Sequence, residues 1–92
     1  MTVERNDSTE RFETELDGHA AFLTFHENGE RLNLIHTEVP DDLEGRGVGS
    51  QLVRAALADA RERGLKVVPT CPFVRSFLER HPEEQDVLAE PL

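Results

Sequence analysis

Pro40-Asp41-Asp42-Leu43-Glu44-Gly45-Arg46-Gly47-Val48-Gly49-Ser50-Gln51-Leu52-Val53 marks a change of period in the chain, from strand to helix. Before it, apolar residues alternate with polar ones, the period of a strand. Pro40 closes that pattern because it has no N–H to give a neighbouring strand. Asp41 to Gly47 is a polar loop carrying glycine. From Val48 the period becomes helical: Val48, Leu52, Ala55, Ala56 and Ala60 share a face, with Val53 and Leu57 beside it. The glycines thus stand where a strand hands over to a helix. A helix start offers unpaired N–H groups and partial positive charge, and glycines let an anion approach the backbone. Such a place suits a phosphate or diphosphate. No Gly-Lys-Ser/Thr follows, so it is not a P-loop, and the third glycine of a dinucleotide fingerprint is missing. On spacing alone, a glycine turn that merely begins a helix is the competing reading.

Working upstream, Arg11 to Leu16 alternates, Asp17-Gly18 suits a tight hairpin turn, and His19 to Glu27 is a second strand. Asn28-Gly29 is another hairpin signal, followed by a third strand from Arg31 to Val39. Two-residue turns would set Phe12 against Leu23 and Thr14 against Ala21. They would also set Phe25 against Leu32, Leu23 against Leu34 and Ala21 against His36. That register puts His36 at the end of the apolar sheet face. The other face carries Phe22, Ile35 and Val39 among polar residues, so a helix should cover it incompletely. Downstream, Arg61 and Arg63 in a last turn and Gly64 after it end the first helix. Leu65 to Pro69 reads as a short buried strand, and Pro72 as the first residue of a second helix that ends at His81-Pro82. The acidic tail after Glu83 can pack through Val87 and Leu88. The expectation is an α+β domain of order β-β-β-α-β-α, with a mixed, mostly antiparallel sheet, one βαβ crossover and two main helices. Residues 1–10 are expected to be a flexible lead-in to a single domain at 11–92.

The chain has 92 residues, 37% of them hydrophobic and 32% charged, with a formal net charge of -9. That length supports one modest core and an open groove rather than an enclosed chamber. The acidic balance excludes a nucleic-acid binder and a domain that docks on anionic lipid, since both need basic patches. Lys66 is the only lysine, and an acidic surface poor in lysine suits a salty cytoplasm; a GC-rich genome explains the arginine bias equally well. Cys71 is the only cysteine, so no internal disulfide forms. There is no apolar run of membrane-spanning length and no apolar leader at Met1 to Glu10, so a cytoplasmic protein is expected. No spacing of His, Cys, Asp or Glu suggests a metal.

With these elements in place, the chain resembles the GNAT superfamily of N-acetyltransferases, in its small single-domain YjdJ-type branch, from about Arg11 to Glu83. Two segments carry the resemblance: Val39 together with the stretch Pro40 to Val53 that follows it, and Lys66-Val67-Val68-Pro69-Thr70-Cys71-Pro72-Phe73-Val74, continued by Phe77-Leu78 and His81-Pro82. The resemblance implies acetyl-CoA as acyl donor and an amine-bearing acceptor, a protein lysine or a small molecule. It implies a cofactor loop of Glu44, Gly45, Arg46, Gly47, Val48, Gly49 and Ser50, in which the backbone amides from Gly45 to Ser50 grip the diphosphate; by its own charge Arg46 could add a contact. It also implies that the strand edge at Glu38 and Val39 pairs with the pantetheine arm, and that Cys71, Pro72 and Phe73 border the far end. There the last strand splays and backbone N–H groups stabilise the oxyanion. Two departures stand out. Glu44 replaces the Gln or Arg that usually opens the loop, and there is no tyrosine to protonate the leaving thiolate. These favour the alternative of a CoA-binding module with little turnover. A monomer or weak dimer is expected.

Cys71 precedes Pro72 and so caps a helix, where the dipole favours a thiolate. It is a candidate general acid or acyl-accepting nucleophile, against the plainer reading of a small residue filling space. His36 is either a satisfied core histidine or the base that deprotonates the amine. His81 reads as a helix end, and His19 and His26 as surface residues. Asp41-Asp42 and Glu83-Glu84 are solvated surface or a lure for a cationic acceptor.

Overall fold

Asp17 and Gly18 adopt φ of 53° and 78°, the paired positive values of a tight two-residue hairpin. That turn joins β2 (Arg11–Leu16) to β3 (His19–Asn28) with Phe12 opposite Leu23 and Thr14 opposite Ala21, as the sequence predicts. The computed structural model describes all 92 residues. Its elements continue with β4 (Arg31–Glu38), α1 (Val48–Arg63), β5 (Lys66–Pro69) and α2 (Pro72–Arg80). With a further strand, β1 (Glu4–Asn6), at its outer edge, the sheet runs β1-β2-β3-β4-β5, antiparallel except for the β4–β5 pair, which α1 connects. This is the expected α+β order with one strand added at its start.

The added strand, β1 (Glu4–Asn6), corrects the flexible lead-in. Arg5 pairs in register with Phe12, and its guanidinium lies 4.5 Å from the Phe25 ring centre while bonding Asp7, Glu27 and Asp59. A charge-rich segment is thus tied down by ion pairs over an aromatic edge, which a hydropathy reading does not register.

The β3–β4 register is a second correction. Asn28 pairs with Arg31, so the turn is Gly29-Glu30 and not Asn28-Gly29. Phe25 therefore faces Leu34 instead of Leu32. The pairing then shifts between Thr24 and Phe25, leaving Ile35 as an extra residue on β4. After this bulge His36 faces Thr24, and Thr37 faces Leu23. Because side chains alternate, one unpaired residue exchanges the two faces. Thr37 takes the inner side, and His36 turns to solvent instead of the apolar side.

The helices follow their sequence signals closely. Gly64 ends α1 at φ 69°, and Pro72 starts α2. Val48, Leu52, Val53, Ala56, Leu57 and Ala60 of α1 are buried in one cluster with Phe12, Leu23, Phe25, Leu32, Leu34 and Val67 of the sheet. Val74, Phe77 and Leu78 of α2 join the same cluster. Both helices thus lie on one side of the sheet, and the molecule is only 19 Å deep along its shortest axis. The expectation that a helix partly covers the second face does not hold. That face is bare, with Phe22 sheltered only by the Arg11 guanidinium, 3.8 Å from its ring centre, and Ile35 exposed. The acidic tail packs as expected: Val87 is buried, Leu88 bridges to Val67, and the Ala89 N–H donates to the Val67 carbonyl.

Candidate active site

Two local features of this fold converge. The first is the start of α1. Gly45 and Gly47 hold φ of 76° and 74°, left-handed values that bring the loop into α1 without a cap side chain. The N–H groups of Gly45, Gly47, Val48, Gly49 and Ser50 donate to no group of the protein; the next, Gln51, bonds the Gly47 carbonyl. Beside them is an open cavity of about 310 Å³ lined by Val39, Leu43, Glu44, Gly45, Gly47, Val48, Gly49, Ser50, Phe73 and Arg80. Gly49 is constrained by a neighbouring side chain and not by its own φ. A β-carbon there would lie 2.8 Å from Cζ of Phe73, whose ring walls the cavity.

The second feature is the gap between β4 and β5. Their ladder stops at Leu34 and Pro69, and the Cys71 N–H makes a last bond to the Leu34 carbonyl (2.9 Å). Proline at the end of β5 cannot extend the ladder. Beyond this point β4 continues to Glu38 with no strand on its β5 side, so an edge of backbone donors and acceptors leads from the cavity at Val39 toward Cys71. At the same place α2 begins, also without a cap side chain, and the Phe73 and Val74 N–H groups have no acceptor in the protein.

The sequence pattern of the GCN5-related N-acetyl-transferase family fits residues 11–87. The chain belongs to the GCN5-related N-acetyltransferase family. Protein NATD1 of Mus musculus is 35% identical to this GNAT chain over 88 residues, which span 92% of this chain and 80% of that one. Protein NATD1 of Homo sapiens is 35% identical, with 92% and 78% covered. The solution structure of a GCN5-like protein from Staphylococcus aureus superposes with a TM-score of 0.76 at 30% identity, covering 99% of this chain and 90% of that one.

In this GNAT domain, eight of the residues expected at the donor site do line the cavity: Val39, Glu44, Gly45, Gly47, Val48, Gly49, Ser50 and Phe73. The other expected residues lie apart from it. Arg46 is drawn away to Asp17 in the β2–β3 turn, and this contact, with the Arg46 charge behind it, holds the Asp17 carboxyl below its ordinary range. Glu38 is exposed and accepts a hydrogen bond from Nε2 of His36 at 2.7 Å. Pro72 is exposed at the first turn of α2, and Cys71 is buried just before it. The Cys71 Sγ lies 3.3 Å from the Oγ1 of Thr37, the residue that the bulge turned inward. The expected core placement of His36 is overturned by the same bulge: its imidazole stands in solvent beside Glu38. His19 and His26 are surface residues near Asp42 and Glu10, and His81 ends α2, its ring tilted against Phe77 with centres 4.4 Å apart.

Sequence reading missed Arg80 and Thr37. Arg80 was legible in principle, since it follows Phe73 by seven residues on one helix and so shares its face. Thr37 was not, because the bulge that aims it has no local signature. No group of three or more His, Cys, Asp and Glu side chains is placed to hold a metal, and no helix is long and apolar enough to cross a membrane.

Proposed function

We propose that this GNAT domain transfers acetyl from acetyl-CoA to an amine of a protein lysine or a small molecule. The observation that carries the reading is a set of five unbonded amides, leading into α1, on residues that line a cavity of about 310 Å³. Backbone N–H groups fixed in this way accept a diphosphate without reorganising, each bond to charged oxygen contributing roughly 1.5–3 kcal/mol. The released edge of β4 supplies main-chain partners for the amide-bearing pantetheine arm, by the chemistry of strand addition. The thioester then lies near the gap between β4 and β5.

The acceptor nitrogen attacks the thioester carbonyl carbon. A C–N bond forms, the C–S bond breaks, and the sulfur leaves as a thiolate that takes up one proton while the nitrogen releases one. The unclaimed Phe73 and Val74 N–H groups at the start of α2 are assigned to the oxyanion. The Cys71 thiol, backed by Thr37, is assigned the proton for the leaving sulfur, the task for which this chain has no tyrosine. The His36–Glu38 pair, on the solvent side of the same strand, is assigned the proton from the amine. A cationic acceptor suits the net charge of -9, which raises its local concentration. The same charge speaks against nucleic acid and anionic lipid as partners. A cytoplasmic monomer or weak dimer completes the reading.

Two measurements test it. Titration with CoA should shift amide resonances at residues 38–52 and 70–77 and few elsewhere. Acetyl-CoA with a panel of amines should release thiol in proportion to acceptor. Binding without acceptor-dependent release would favour the second reading, a CoA-binding module. Glu44 on the cavity wall is the observation that supports that alternative. No shift at either segment would end both.

A further inference from the structure

The chain has ten Lys and Arg residues, and most are already committed. Arg5, Arg31, Arg46, Arg54, Arg61 and Arg63 pair with carboxylates. Arg11 lies over Phe22, and the Lys66 ammonium reaches the Asp86 carbonyl. Arg75 and Arg80 remain, both exposed on α2. Arg75 lines a different hollow, between β5 and the C-terminal tail. Arg80 lines the cavity of the unbonded amides and has no carboxylate within pairing distance; its Nε makes only a 3.4 Å bond to the Ser76 carbonyl.

The loop itself offers no positive side chain to that cavity. Arg46 is held by Asp17, and Glu44 brings a negative charge to the wall. We infer that the side-chain charge for the donor's phosphates has moved out of the glycine loop and is carried by Arg80, reaching across from the last turn of α2. The helical register supports this, since Phe73, Ser76, Phe77 and Arg80 lie along one stripe, and Phe73 is already seated against Gly49. A cation in the last turn is favoured by the helix dipole in any case, but that effect is blind to what occupies the cavity. The inference rests on the reading that a CoA thioester binds here. The shared chemistry is a phosphate group, either of the diphosphate or of the ribose 3′-phosphate.

The test is calorimetric titration of the full chain with CoA, dephospho-CoA and pantetheine, on the wild type and on Arg80→Gln, Arg80→Lys, Arg75→Gln and Glu44→Gln. Arg80→Gln should weaken CoA about tenfold or more and leave pantetheine unchanged, with Arg75→Gln binding both as the wild type does. Arg80→Lys should keep part of the affinity, and Glu44→Gln should tighten CoA. Equal losses for CoA and dephospho-CoA place Arg80 on the diphosphate; a loss for CoA alone places it on the 3′-phosphate. Arg80→Gln binding CoA like the wild type, or weakening CoA and pantetheine alike, overturns the inference while the donor site stands. A wild type that binds no CoA overturns the donor site and the inference together. Melting curves of Arg80→Gln separate lost charge from lost structure, because an exposed, unpaired residue should leave the midpoint nearly unmoved.

Discussion

The ring of Phe73 occupies the place that a β-carbon at Gly49 would need, with Cζ and Cε2 at 2.8 and 3.0 Å from it. Helix α2 is thereby seated on the first turn of α1, and one wall of the cavity is fixed.

Gly49→Ala exposes two opposed effects. Gly49 has no positive φ, so alanine gains about 1 kcal/mol in helix propensity. Overpacking against Phe73 costs about 1–3 kcal/mol. The expected sum is a net loss of about 1 kcal/mol. In a Phe73→Ala background the clash is gone, and Gly49→Ala should become neutral or stabilising. A denaturation double-mutant cycle reads the coupling; additive effects would show that the two residues do not meet.

Arg5 anchors β1 through Asp7, Glu27 and Asp59, with its side chain only 12% exposed. Burial works to lower its pKa, but hydrogen bonds to the three carboxylates outweigh that and hold it above the ordinary arginine value. Arg5→Ala should cost about 2 kcal/mol, from the broken partly buried pairs and the lost stacking on Phe25. Arg5→Lys should recover only part, since ammonium neither stacks as well nor spans three partners. Urea midpoints check both, and an unchanged midpoint in Arg5→Ala would restore the loosely attached lead-in.

Acid should weaken the fold through exposed pairs. Asp7, Asp17 and Asp86 are lowered first by hydrogen bonds from Arg5, Arg46 and Arg61, respectively. Glu83 is lowered first by a backbone hydrogen bond of its own and then by His81. Folded values below unfolded ones mean that the unfolded chain binds more protons in between, so stability rises with pH there. The contribution is present above the ordinary carboxylate values of 3.8 and 4.5 and disappears as pH falls through the folded ones. Arg61→Ala should flatten this dependence by freeing Asp86, and should loosen the segment that carries Val87. Melting temperature against pH, in low and molar salt, reads the effect.

Cys71 is 3% exposed, so iodoacetamide should react with it more slowly than with free cysteine until the protein unfolds. If its thiol protonates the leaving sulfur, Cys71→Ala should lower kcat roughly a hundredfold with CoA affinity retained. Full activity in that variant would return Cys71 to a packing role beside Thr37.

Where a residue's effect is local, the sequence displayed it. The Asp17-Gly18 turn, both ends of α1, and Pro72 at the start of α2 are each set by one or two backbone preferences. The glycine loop was legible because positive φ and a helix start act over only five residues. What escaped depends on distant partners. The Ile35 bulge is fixed by how β4 meets β3, and it alone decides that Thr37 and not His36 faces Cys71. Arg46 looked like a phosphate ligand until the fold brought Asp17 next to it. β1 was invisible because its anchors, Glu27 and Asp59, lie 22 and 54 residues away from Arg5.

A slab 19 Å deep with helices on one side only has no interior in which to sieve acceptors by size. Whatever reaches the gap between β4 and β5 from the uncovered side meets no wall and no door. Under the proposed function, discrimination comes from encounter: how often a given amine arrives, and how long the charged rim keeps it there. Such a catalyst would be broad in what it can touch and strongly dependent on ionic strength in what it does touch.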